Sequence, residues 1–256
     1  MAVNLGTAAN YAVLGGSDVT NTGASLIAGG NLGVSPGTSV TGITAANFTP
    51  PAHEDIPGSA QAQTDLTAAY TQAVGETPAT TIPGSAITGP TTLTPGIYSA
   101  AAALLVDGAV TLNGANNPNA VFVFQVGSAL TVGSVTATTF TLENGASACN
   151  VFWQVGSSAT IDGGSQFVGN ILASASISAL GGATIDGRLL ASTGGVTLID
   201  DAINAPSCTT VGTPMASLPG IGATAGIVGL GSVWWFAVRR RRTEGLRRAD
   251  LASELT

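Results

Sequence analysis

The chain contains no lysine, and only 8% of its 256 residues are charged, against about 25% in an average soluble domain. Arg188 stands alone among arginines before Val238, and the other six follow it. Residues 1–238 carry eleven Asp/Glu against one Arg, a formal charge of −10, and residues 239–256 carry six Arg against three acids, or +3. The body of the protein thus lacks the basic footprint that binding to nucleic acid requires, and no nucleic-acid partner is expected. Its mild acidity favours solubility without naming a partner.

Chemistry-bearing residues are equally scarce. His53 is the single histidine, in a proline-rich stretch, with no Ser, Asp or Cys partner in a recognisable motif. Asp200 and Asp201 are neighbours, and successive strand residues point to opposite faces, so a shared carboxylate site is not expected. The repeated ATIDG lacks the Gly-Gly-x-Gly-x-Asp pattern of a calcium turn. The Gly-rich stretch 220–231 is not followed by Lys-Ser/Thr, which argues against phosphate binding. A polysaccharide lyase or hydrolase needs clustered carboxylates with basic residues or metal, and Arg188 alone does not provide that. Two cysteines, Cys149 and Cys208, are too few for a disulfide scaffold and lack metal spacing; an exported protein could join them in one bridge. Neither catalysis, a metal nor another cofactor is expected.

What the sequence does have is Gly, Ala, Ser and Thr, with 45% hydrophobic residues arranged as short Val/Ile/Leu/Phe runs punctuated by Gly. That pattern suits many short strands with tight corners. It does not suit a disordered chain, which couples low hydrophobicity to high charge. Residues 57–75 are the exception: Ala62, Leu66, Ala69, Tyr70 and Ala73 recur at helical spacing and Gly75 sits where a C-terminal cap belongs. The small residues of this stripe predict a helix lying close on a flat surface.

The strand-like segments repeat. FQVGS at 124–128 returns as WQVGS at 153–157, ATIDG at 159–163 returns at 183–187, and VGNILAS at 168–174 aligns with DGRLLAS at 186–192. The shifts predict a solenoid of roughly eighteen to twenty residues per coil, with three short strands and three corners. Val123, Val151, Ile161, Ile171, Ile177, Leu189 and Val196 are the expected inward residues. Gly127, Gly156, Gly169 and Gly187 are expected to permit the corner backbone angles. Alternation turns the neighbours of the inward row outward. Thr20, Thr41, Thr131, Thr160, Ser178 and Thr197 each follow an apolar or small residue and form one outward rank. Ser39, Ser158 and Ser176 form part of a second rank two residues earlier. A competing face carries Ser25, Gln166 and Thr184. Ser and Thr ranks also occur simply because Thr suits strands and pairs across them.

Beyond residue 208 the character changes. Residues 209–219 read as a linker, and Gly220–Val238 is a run of nineteen uncharged residues, about the length that crosses a bilayer as a helix. Trp234 and Trp235 stand near its end and Arg239–Arg242 follow, which predicts a transmembrane helix over 220–238 with a basic cytoplasmic tail over 239–256. Met1-Ala2-Val3-Asn4 has neither a charged n-region nor an apolar h-region, so an exported chain would start upstream or be numbered from a mature residue.

NYAVLGGSDVTNTG (10–23), GGNLGVSPGTSVTG (29–42), AQAQTDLTAAYTQAVGETP (60–78), LTPGIYS (93–99), PNAVFVFQVGS (118–128) and CNVFWQVGSSATI (149–161) occur in one order, and together they resemble the bacterial and fungal ice-binding proteins. The resemblance covers nearly all of residues 5–208. It implies a mostly β domain over 1–208: a right-handed, three-faced β-solenoid whose N- and C-terminal coils meet in space, with the helix alongside. It implies adsorption to ice and inhibition of its growth or recrystallisation; the outward ranks read from the repeat then supply the candidate ice-binding set, Thr20, Thr41, Thr131, Ser158, Thr160, Ser176, Ser178 and Thr197. It also brings the regions of Cys149 and Cys208 together, so a disulfide between them is expected. LPGIG at 218–222 is similar to a sortase signal, but Ile221 stands where that signal has Thr, which favours plain membrane anchoring. The expected protein is an exported monomer held at the cell surface by residues 220–238. The alternative is a surface adhesin or polysaccharide binder on the same solenoid, which would show an exposed row drawn from Phe122, Phe124, Phe152 and Trp153.

Overall fold

Each short apolar run forms a strand of two to five residues, and two eight-residue strands, Gln166–Ala173 and Thr184–Ala191, run around a corner. The computed structural model describes residues 2–208. The linker expected at 209–219, the transmembrane helix at 220–238 and the tail at 239–256 lie outside the described residues. Among the described residues no helix is long and apolar enough to cross a membrane.

All strand pairs are parallel, and eight levels stack on one another. A level such as Val151–Val155, Ala159–Ile161 and the start of Gln166–Ala173 contributes one strand to each of three faces. The strand alternation sends Val151, Ile161, Ile171, Ile177, Leu189 and Val196 into the common core, each fully buried. Aromatic rings extend that core as a stack, Tyr98 on Phe124 at 5.3 Å and Phe124 on Trp153 at 3.8 Å between centroids. The indole N–H of Trp153 donates to the Val168 carbonyl at 3.0 Å, so its polar atom is satisfied inside. Val123 departs from expectation. It is buried, but against the helix rather than in the solenoid interior, because its neighbours Phe122 and Phe124 take the inward positions.

The order of levels is not the order of the chain. The first coil stacks on the last: Val13 pairs with Leu189, Val19 with Val196 and Ile27 with Ile203. Asn31–Val34 and Ser39–Thr41 stack beyond the first coil. Chain elongation then resumes at the opposite end, at Thr80–Thr81 and Ala86–Thr88. The helix Ile56–Gly75 makes the passage. Its 20 residues span about 30 Å at 1.5 Å per residue, enough to pass six strands spaced about 4.8 Å apart.

Sequence chemistry fixes this helix at both ends and along its length. Asp55 caps its N-terminus by accepting from the Gly58 N–H at 3.0 Å, and also accepts from the Tyr11 hydroxyl at 2.7 Å. Gln125 donates to the carbonyls of Ala73, Val74 and Glu76 at its other end. Gln63 donates to Gly15 and Ala191, one carbonyl from the first coil and one from the last. Ala62, Leu66, Ala69 and Ala73 bury against Val123, Phe152, Leu172, Leu190 and Leu14; Tyr70 at the edge of this stripe is half-buried and accepts from Gln154.

The corner glycines act differently from expectation. Only Gly169 among the four has positive φ, at 110°. At Gly127, Gly156 and Gly187 a Cβ would strike a backbone carbonyl of the adjacent coil, so the requirement there is close stacking, not an unusual backbone angle.

The Tyr11 hydroxyl, followed by the Gly58 N–H, holds the Asp55 carboxyl below the usual carboxylate range. Such a depressed group stabilises the fold above its unfolded-state pKa and loses that contribution as pH falls through the folded value. Asp55→Ala should therefore cost about 1 kcal/mol near neutral pH, the usual worth of an N-cap. The gap between mutant and wild type should close as the pH is lowered into the acid range. Urea unfolding of both proteins across that range measures it.

Candidate functional site

One face is built from eight three- to five-residue strands whose middle positions alternate out of the core. Registered pairing sets Thr41, Thr20, Thr197, Ser178, Thr160 and Thr131 side by side on six adjacent strands. The strand spacing makes this rank about 24 Å long. Thr41 is exposed and the other five are half-buried, as expected of short side chains standing shoulder to shoulder on a flat sheet. The Thr20 hydroxyl donates to that of Thr197 at 3.3 Å across the junction of first and last coils. The rank then turns apolar: Thr131 pairs with Leu105, and Leu105 with Ala86.

The second rank is less complete than the sequence suggests. Ser158 and Ser176 flank adjacent strands, and the Ser158 hydroxyl accepts from the Ser176 N–H at 3.3 Å. The Ser176 hydroxyl lies where a side chain on Gly194 would go. Next along, Gly195 contributes no side chain, and Asp18 comes between it and Ser39. The sequence read as a serine rank thus contains a glycine gap and a carboxylate.

The competing face does not form a comparable row. Ser25 is fully buried, and its hydroxyl accepts from the Asp201 N–H at 3.0 Å; it points inward because it sits at the corner that closes the first coil on the last. Ala109, Thr139, Gln166, Thr184, Ala202 and Leu26 align there, mixing methyl, hydroxyl, amide and a half-exposed leucine. One rank over, Asp186 stands between Val168 and Asn204.

Other singled-out residues occupy structural places. Phe122, Phe124, Phe152 and Trp153 are all buried, so they do not form an exposed row. His53 is exposed, with Nδ1 at 3.0 Å from the Pro51 carbonyl. Asp200 accepts from the Ala24 N–H on the surface, whereas Asp201 is buried and accepts from the Ala183 and Ile199 N–H groups. Burial raises the Asp201 pKa, and its backbone donors offset part of that. Cys149 and Cys208 are joined, with Cα atoms 5.5 Å apart. The buried Arg188 donates to the carbonyls of Ala9 and Pro206 and to Asn170. Desolvation lowers its pKa, partly countered by Asp186.

Comparison with known proteins gives this geometry a lineage. The sequence profile of the Ice-binding-like family matches residues 13–204. An ice-binding protein of Nostoc sp. (strain HG1) is 42% identical over 243 residues, covering 94% of this chain and 88% of the relative. The crystal structure of an ice binding protein from an Antarctic biological consortium superposes with a TM-score of 0.72 at 40% identity, covering 80% of this chain and 91% of that one. The ice-binding protein of the Antarctic ascomycete Antarctomyces psychrotrophicus gives 0.73 at 34% identity, covering 81% and 100%. By the extent of these matches, over nearly the whole of the eight-level stack, the chain belongs to the ice-binding-like family.

Proposed function

We propose that this protein adsorbs to ice through the face carrying Thr20, Thr41, Thr131, Thr160, Ser178 and Thr197, with Ser158 and Ser176 at its margin, and thereby inhibits ice growth or recrystallisation. The observation that carries the proposal is the rank itself, six hydroxyl residues in register on six adjacent strands. Backbone pairing imposes a regular repeat of about 4.8 Å on them. Each hydroxyl can both donate and accept, as water does in ice, and each threonine adds a methyl that does not compete for hydrogen bonds. Such a surface holds a layer of water that merges with a growing crystal.

The same proposal makes the protein an exported monomer, anchored through residues 220–238 with its C-terminus in the cytoplasm. The Cys149–Cys208 bond supports export, because disulfides persist in oxidising compartments. Cys149 lies just before Val151–Val155, at the corner between the two other faces.

Thr160→Tyr places one bulky ring in the rank, on the fifth of the eight strands of the face. It should abolish most thermal hysteresis while changing stability by less than about 0.5 kcal/mol, because an outward strand position tolerates Tyr. Thr184→Tyr, on the competing face, should be nearly silent. The reverse result would assign ice binding to the other face, and two silent variants would make the rank purely structural.

Deletion of residues 213–256 should leave a folded, soluble, ice-active domain and abolish sedimentation with membranes. A full-length protein that stays in the supernatant without detergent would argue against the anchor.

A further inference from the structure

The second rank of the hydroxyl face carries a carboxylate, that of Asp18. Asp18 projects from the same side of its strand as Thr20, two residues away, and pairs in register with Ser39. Its carboxylate does not point straight out. A Cβ placed on Gly195 would fall 2.6 Å from Asp18 Oδ1 and 2.9 Å from its Cγ and Oδ2. The carboxylate therefore lies sideways over the adjacent strand, in the slot where the last coil carries no side chain. Its intramolecular partner is the hydroxyl of Ser17, at 2.5 Å. The position lies at the junction of first and last coils, beside the Thr20–Thr197 hydroxyl contact.

We propose that Asp18 limits the ice-binding surface, and that its carboxylate in the Gly195 slot keeps the second rank from joining the first in ordering water. This inference rests on the assignment of the hydroxyl face above. An ionised carboxylate only accepts hydrogen bonds, so every water around it turns a hydrogen inward. A water in ice donates two bonds and accepts two. The shell of a carboxylate is mismatched to that lattice, and stripping the shell is costly. Ser39 and Ser176 on either side carry hydroxyls that match it. The two ranks are thus continuous in geometry, and the second is interrupted where the Asp18 carboxylate lies over the Gly195 gap, which confines the productive patch to the first rank. Among the described residues the side chain accepts one hydrogen bond, from the neighbouring Ser17, so its replacement has little structural cost.

The test compares Asp18→Asn, which keeps the shape and removes the charge, with Asp18→Ser, which supplies a hydroxyl. Glu143→Gln, on the third face, controls for net charge. In the full-length protein, both Asp18 variants should lower the concentration needed to inhibit ice recrystallisation by about two- to fivefold, the scale of a single exposed charge interaction. Glu143→Gln should change nothing, and all three should keep the wild-type melting temperature. Unchanged or weakened inhibition in either Asp18 variant, with melting intact, overturns the proposal. Equal gains from Glu143→Gln also overturn it, since net charge would then be the cause. Thr160→Tyr run beside them separates the two ideas: if it leaves inhibition intact, the face assignment itself is wrong.

Discussion

The structure depends on the parallel pairing of its first coil with its last. No coil can bury its own inward residues; each is covered only by the levels above and below. Val19 is buried because Val196 lies beside it, and Ile27 because Ile203 does. Without that junction, two levels would detach from six and both would expose open strand edges. The polar contacts around it are correspondingly dense. Arg188 reaches Ala9 and Pro206, and Gln63 of the helix reaches one carbonyl on each side. An unpaired guanidinium would be costly inside the protein, so its three oxygen acceptors hold both ends of the described chain to one place.

The flat face follows from the same pairing. Registered strands place equivalent side chains at the inter-strand distance with no freedom to drift, because a one-residue slip would turn the apolar row outward. The hydroxyl rank is therefore as rigid as the core beneath it: Val19, Val196, Ile177, Ala159 and Leu130 alternate with its members and are all buried. The helix covers another face with alanine and leucine. The division between one covered face and one bare face is a consequence of which outward residues are apolar.

Much of this was legible in the sequence. The helix over 57–75 appears as Ile56–Gly75, because small residues at helical spacing followed by Gly have few other interpretations. The first hydroxyl rank was legible because each member follows an inward residue in a short, repeated strand. What the sequence concealed concerns three-dimensional neighbours. Val123 looks inward by hydrophobicity, but the helix makes the outside of that face apolar too. Ser25 looks like a surface serine until the corner closes over it. The gap in the second rank depends on Asp18 and Gly195 being adjacent, although 177 residues separate them in the chain, and only knowledge of the closure reveals it. The apolar end of the rank at Leu105 and Ala86 has no hydroxyl to mark it in the sequence, although their alternation with Val106 and Ile87 carries the signal.

The closure between ends has a consequence for how the molecule forms. An ordinary solenoid resembles a one-dimensional array, in which any pair of repeats can nucleate and neighbours add on. Here the junction between the second and third of the eight levels joins residues such as Val19 and Val196, so the most remote parts of the sequence must meet before the stack is continuous. Such high contact order slows folding, because loop entropy is lost before the contacts that repay it are made. It also removes the option of partial order: levels on either side of the junction share core, helix and buried arginine. The domain is built like an array but should gain and lose its structure as a single cooperative unit.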